Sequence, residues 1–245
     1  MGEISVESHV YYSIEIGGKA VPLITDAVVT MWVVTAVIIV AILLFTRNLS
    51  KIPKGPQKVM EMLVDFVNNL LKGQMEHHYK VFAPFICTVL LFLGLSNTIS
   101  LFNIIPTGVT SSGHHFGIEL EPPTRNINVT ACLAIVTLII LIFSEFKFKG
   151  FKGWLRGFYK PNPIFGFVKI LDYVVRPMSL CLRLFGNILG GVVAMTLIYG
   201  AIPILVPALV SVYFDIFDGI LQAYVFVFLT VMYLAEAVEL PEEVK

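Results

Sequence analysis

The chain has 245 residues, of which 57% are hydrophobic and only 14% charged, with 17 basic and 17 acidic side chains. With a mean hydropathy of +0.84, the composition is too apolar for an ordinary soluble domain and points to lipid as the main solvent. The balanced charge gives no support for nucleic-acid binding.

In chain order, residues 1–26 come first, an expected outside segment. Its opening carries Glu3, Glu7 and Glu15 and lacks the basic start and apolar centre of a cleavable signal, so none is expected. Three uncharged runs follow, at 27–45, 81–102 and 127–144. At 18 to 22 residues, each is what a membrane-crossing helix needs. Between the first two, residues 56–73 place Val59, Met62, Phe66, Leu70 and Gly73 at helical spacing. Lys58, Glu61, Asp65 and Asn68 fall on another side, which makes an amphipathic helix too polar to span. It is read as lying in the membrane interface, the alternative being a docking face for another subunit.

Basic residues set the orientation. Arg47, Lys51, Lys54 and Lys58 follow the first run, and Lys147, Lys149, Lys152, Arg156, Lys160 and Lys169 follow the third. The loop at 103–126 has only Arg125, beside Glu119 and Glu121. The N-terminus is therefore expected outside and the Lys-rich loops in the cytoplasm.

Residues 164–238 contain one clear turn signal, from Gly200 and Pro203 to Pro207. Two helices result, at 164–200 and 207–238. Each is about 50 Å long at a rise of about 1.5 Å per residue, whereas a hydrocarbon core of about 30 Å needs far less. A long, steeply tilted hairpin is expected, its C-terminal end inside. The predicted fold is thus a single all-α integral membrane domain: about five crossing helices plus one interfacial amphipathic helix.

One charge stands out in this hairpin. Arg183 is followed by 31 uncharged residues before Asp215. A guanidinium stays protonated at biological pH. Placing one near the bilayer centre costs about 2.5–3.5 kcal/mol on insertion scales. A chain that tolerates this uses the charge, to pair with an acid or to line an ion path. At about 100° per residue, Asp172, Arg176, Ser179, Arg183, Asn187, Gly190 and Ala194 all fall within about 40° of one common direction. Leu182, Phe185, Ile188 and Leu189 lie opposite. The stripe is polar and then small, and small residues admit a neighbouring helix. Pro177 is expected to kink this helix. On the second helix, Ser211, Asp215, Asp218, Gln222, Phe226 and Tyr233 form the matching stripe. Its two carboxylates call for a water-filled cavity reached from outside.

Two segments carry a specific resemblance. Arg183, Leu184, Phe185, Gly186 and Asn187, with the glycines after them, and the stretch from Gln222 to Tyr233 resemble the signature segments of subunit a of bacterial F-type ATP synthases. That subunit is the membrane stator of a rotary motor. The likeness extends to the topology, the interfacial helix and the final hairpin. It implies that Arg183 faces the ion-carrying carboxylate of a c-ring and that Asn187 lies one turn on. It also implies that Gln222 lies close to the arginine and that Asp215 lines the inlet half-channel. The implied partners are c-ring subunits, b-type peripheral stalk subunits, the F1 head and the lipid bilayer. One departure matters: many bacterial relatives have glutamate after the glycine that is Gly191 here, and this chain has Val192. Two readings stand, that Asp215 and Asp218 supply the missing acid or that the inlet carries Na⁺ in place of H⁺.

The remaining candidates have blander readings. Arg176 is read as a snorkelling interfacial residue, a second gate being the alternative, and Asp172 as its partner or that of Lys169. Glu236 and Glu239 are read as an exposed terminal turn, with a lining of the exit path as the second reading. Cys87, Cys132 and Cys181 read as small buried apolar residues, outside any disulfide or metal site. His77 and His78 are assigned to the membrane surface, His114 and His115 to a solvated loop. No cofactor or metal is expected. No Walker loop, HExxH or nucleophile elbow is present, so ATP chemistry is assigned to partner subunits. A secondary ion-coupled transporter is the alternative function, although the internal repeats of such proteins are missing here.

Overall fold

The computed structural model describes residues 10–16, 19–47, 55–75, 78–99, 122–159, 163–201, 210 and 213–238. The membrane part is all-helical, and five helices are long and apolar enough to cross a bilayer. Helix α1 (Asp26–Thr46) opens with Asp26 in its first turn, where a negative charge suits the helix dipole. Its threonines cost little in lipid because they bond back to the preceding turn. Thr30 donates to the Asp26 carbonyl at 2.9 Å, Thr35 to Met31 at 2.7 Å and Thr46 to Ile42 at 2.6 Å.

Helix α2 (Pro56–Gln74) starts with Pro56 in its first turn, a position where the missing N–H costs nothing. Val67 and Leu71 are buried in the protein core, while Val59, Met62 and Phe66 are 57%, 62% and 47% exposed. Much of the stripe read from the sequence therefore faces away from the protein, although Leu70 packs on the core and Phe66 lies 6.1 Å from the Tyr224 ring, and a second apolar side holds the helix to its neighbours. Helix α3 (Tyr79–Thr98) contains Pro84, next to which the Thr88 hydroxyl donates to the Pro84 carbonyl at 2.8 Å. A short 3₁₀ helix, Pro123–Arg125, precedes α4.

Helix α4 (Ile127–Tyr159) continues well past residue 144, where the apolar run ends. Its direction breaks at Gly150, with φ 68° and ψ 161°, a backbone shape that glycine adopts without the Cβ penalty. The spanning part is Ile127–Gly150. Glu145, the first charged residue after the apolar run, is only 6% exposed. Neighbouring helices bury it, so the charge marks a contact rather than an end.

Helix α5 (Pro163–Ala201) runs through Pro177 and packs chiefly on α4. Helix α6 (Gly219–Val238) is preceded by a π-helical turn, Tyr213–Asp218, where the sequence suggests unbroken α-helix over 207–238. Residues 202–209, 211–212 and 239–245 lie outside the described residues. The N-terminal segment adds a feature with no helical counterpart. Strands β1 (Val10–Ile16) and β2 (Lys19–Thr25) form a two-stranded antiparallel hairpin that leads directly into α1.

The core lies around α6, 44% of whose span is buried, against 11% for α1. Phe226, Val227, Val231 and Leu234 of α6 meet Phe82, Ile86 and Leu93 of α3, Val67 and Leu71 of α2, Leu141 of α4 and Leu180 and Leu184 of α5. Helix α1 is peripheral, with Trp32, Leu43 and Leu44 at 69%, 64% and 63% exposure.

Candidate functional site between the last two helices

The polar stripes of α5 and α6 meet at Asn187. Its Nδ2 donates to Asp218 Oδ1 at 2.9 Å and to Gln222 Oε1 at 3.3 Å. Asn187 and Asp218 are half-buried, and Gln222 is only 4% exposed. The Gln222 Nε2 is buried without a hydrogen-bond partner among the described residues. An idle buried donor of this kind costs about 1–3 kcal/mol, and such groups concentrate where function requires them. Asp218 closes the π-helical turn, whose wider backbone is frequent at functional sites. Asp215 lies within the same turn, and its side chain is outside the described residues, as are those of Val192 and Glu239.

Arg183 does not join this cluster. It lies on the exposed face of α5, with no carboxylate of the described residues in ion-pair range. Gly186 and Gly190 continue that face, and nothing stands within 4 Å of where a Cβ would sit at either. Leu180 and Leu184, on an adjoining face of the helix, are 2% and 0% exposed. The helix thus anchors itself through leucines and leaves the guanidinium beside two exposed glycines.

Two turns before Arg183, Arg176 is engaged on every side. Its Nη2 lies 3.1 Å from Asp172 Oδ2 and 2.8 Å from the Glu236 carboxylate. The guanidinium also sits 4.9 Å from the Tyr233 ring centroid, within cation–π reach. Asp172 is therefore paired with Arg176. Nearby, Lys149 Nζ donates to the Glu236 main-chain carbonyl at 2.9 Å, tying α4 to the end of α6.

Sequence reasoning missed Glu145. Tyr173 donates its hydroxyl to Glu145, Trp154 Nε1 donates to Tyr173 at 3.0 Å, and Lys169 lies 3.4 Å from the carboxylate. A buried acid needs such partners. The available signal was the i, i+4 pair Lys169 and Tyr173 on α5, which looks ordinary until α4 is laid against it. Cys87, Cys132 and Cys181 are free thiols. Cys132 departs from the expected burial because it is exposed on the outer face of α4, and Cys181 meets the Thr130 hydroxyl at 3.4 Å. His78 packs edge-on against Phe148 with ring centroids 4.5 Å apart. His77, His114 and His115 lie outside the described residues.

Fold and site together define a polytopic helical membrane protein whose last helices gather charged and amide side chains within their apolar spans. The chain belongs to the ATP synthase A chain family, whose model matches residues 28–235. It is 32% identical over 213 residues to the sodium-ion-specific ATP synthase subunit a of Propionigenium modestum, covering 86% of this chain and 73% of that protein. It is also 32% identical over 215 residues to ATP synthase subunit a of Moorella thermoacetica, covering 88% and 91%.

Proposed function

We propose that this chain is the ion-translocating stator of the synthase, carrying H⁺ or Na⁺ through two half-channels to and from a carboxylate on a rotating c-ring. The observation that carries the reading is the division of polar groups on α5. Arg183 faces outward beside the open Gly186 and Gly190, while Asn187 turns inward to Asp218 and Gln222. The outward face suits a rotor helix, because glycines let a partner backbone come close to the charge. The inward cluster suits the inlet half-channel, with Asp218 as its acid and Gln222 beside it, and Asp215, three positions earlier in the sequence, is proposed as a second acid of the same path.

Ion arrival neutralises the rotor carboxylate, which then turns into lipid without a bare charge. Before the exit, the permanent charge of Arg183 favours the ionised carboxylate and releases the ion. The same charge repels cations and prevents a direct leak between the half-channels. A membrane potential biases each step by about 2.3 kcal/mol per charge for roughly 100 mV. The Arg176–Glu236 pair is assigned to the exit side, and Glu239, outside the described residues, is proposed for the same path. At 39 residues, α5 is about 58 Å long, roughly twice what a perpendicular crossing needs, and this supports a steeply inclined final hairpin.

The further proposals concern placement. The N-terminal hairpin lies outside and the C-terminal end in the cytoplasm of a bacterial cell membrane. The exposed face of α1 and a groove of about 650 Å³ between α1, α2 and α3, bordered by Glu61 and Asp65, suit a b-type stalk helix. The F1 head joins through the assembled complex and supplies the nucleotide sites. The name of the Propionigenium modestum relative makes Na⁺ a candidate coupling ion, and Na⁺ dependence of ATP hydrolysis by the whole complex tests it.

Replacing Arg183 with Lys keeps a charge but loses the planar fork. Ion-driven ATP synthesis by vesicles carrying Arg183→Lys is expected to vanish while the chain stays in the membrane. Synthesis at the wild-type rate would remove the proposed role of the guanidinium.

A further inference from the structure

We propose that Asn97 and Thr124 are positioning residues for Asp218, clamping the junction between the π-helical turn and α6 so that the carboxylate stays on Asn187. The inference rests on the reading of Asp218 as an ion-handling group and adds what holds it in place. Asn97, at the outer end of α3, is 5% exposed, and its Nδ2 donates to the Gly219 carbonyl at 3.1 Å. Thr124, on the short 3₁₀ helix, is fully buried and donates its hydroxyl to Asn97 Oδ1 at 2.7 Å. The orientation is forced. A main-chain carbonyl only accepts, so the amide nitrogen faces Gly219, the amide oxygen faces the other way, and the threonine must donate.

The contact is also close. A Cβ on Gly219 would sit 3.1 Å from Asn97 Cβ and 3.4 Å from the Asn97 carbonyl oxygen, so a side chain there would push α3 and α6 apart by a few tenths of an ångström. Gly219 directly follows Asp218, the last residue of the π-helical turn. π-Helical backbone is rare and persists mostly as short turns. A slip of one residue at this junction rotates Asp218 by about 100° and takes it off Asn187. Three elements distant in sequence thus fix one residue's register: Asn97 reaches Gly219 across 122 positions and Thr124 reaches Asn97 across 27.

The test uses membrane vesicles carrying the whole synthase, with a fixed potassium–valinomycin potential. With the F1 head facing the medium, luminal pH and luminal Na⁺ are varied in turn, and the half-saturating ion concentration and maximal rate of ATP synthesis are read separately. Thr124→Val removes the hydroxyl with little change of shape, Asn97→Leu removes the amide, and Thr124→Ser restores the donor. For the ion that drives the wild-type complex, the first two variants are expected to raise half-saturation about three- to tenfold, the worth of one hydrogen bond. The maximal rate should change less, and Thr124→Ser should return to the wild-type value. Wild-type half-saturation in Thr124→Val, with the chain present by immunoblot, overturns the clamp. So does a lower maximal rate with unmoved half-saturation that Thr124→Ser fails to correct. Should Thr124→Val deplete the chain from the membrane, Asn97→Leu decides by the same criterion. Asp218→Asn separates the two ideas. If that variant leaves half-saturation unmoved, the reading of Asp218 itself fails; if it shifts while Thr124→Val does not, only the clamp fails.

Discussion

At the scale of single residues, charges in this chain divide by whether the protein satisfies them internally. Arg176 meets two carboxylates and a ring, and Glu145 meets Tyr173 and Lys169. Arg183 is left open. Removing one member of a satisfied pair strands the other, whereas removing a group that serves an absent partner costs function rather than stability. Glu145→Leu is therefore expected to destabilise the membrane part by about 1–3 kcal/mol, less than for a fully buried pair because Lys169 is 22% exposed. Thermal denaturation of the purified complex, followed by loss of this chain, measures it. Adding Lys169→Met should recover part of that loss, because the two effects share one contact. Strict additivity would mean that the pair is incidental.

At the scale of elements, helix irregularities are placed where packing uses them. The break at Gly150 turns the inner leg of α4 so that Trp154 returns to Tyr173 of α5. A non-glycine residue there must adopt φ 68° at a cost of about 1–2 kcal/mol. Gly150→Val should thus lower the denaturation midpoint and raise hydrogen exchange in the residues after the break, with exchange in α3 unchanged. An unaltered exchange pattern in that leg would show that the break is not needed. The π-helical turn is the second irregularity. Its presence was not legible because the stretch from Tyr213 to Asp218 carries no Pro or Gly, and only Gly219, immediately after it, hints at a junction. Residues on α3 and the 3₁₀ helix, far away in sequence, hold it.

At the scale of the whole molecule, a tight group of α3 to α6 carries a loosely attached α1. The core gathers on α6, and α1 shows most of its apolar surface to the outside. A helix with so little burial has few contacts within the chain to hold it, so detergent should loosen α1 before the rest. Proteolysis at the link between α1 and α2 is expected to accelerate on extraction from vesicles, with the α3 to α6 part intact by mass. The proposed orientation has its own measurement. A cysteine at Ser13 in β1 should react with an impermeant maleimide added outside whole cells, and one at Lys147 only in inverted vesicles. The reverse pattern would invert the topology.

The division of information follows from range. Hydropathy, charge placement and helical periodicity are local, and they determined the five crossing helices, the amphipathic α2 and the polar stripes that contain Arg183, Asn187, Asp218 and Gln222. Each needs only a window of about 20 residues, because lipid imposes the same requirement on every span. Which side of α2 is buried, that Glu145 is an interior group, and that Asn97 reaches Gly219 were decided by tertiary packing alone. Those facts depend on which helices lie side by side, and a buried polar atom looks like any other until the residue that satisfies it has arrived from elsewhere in the chain.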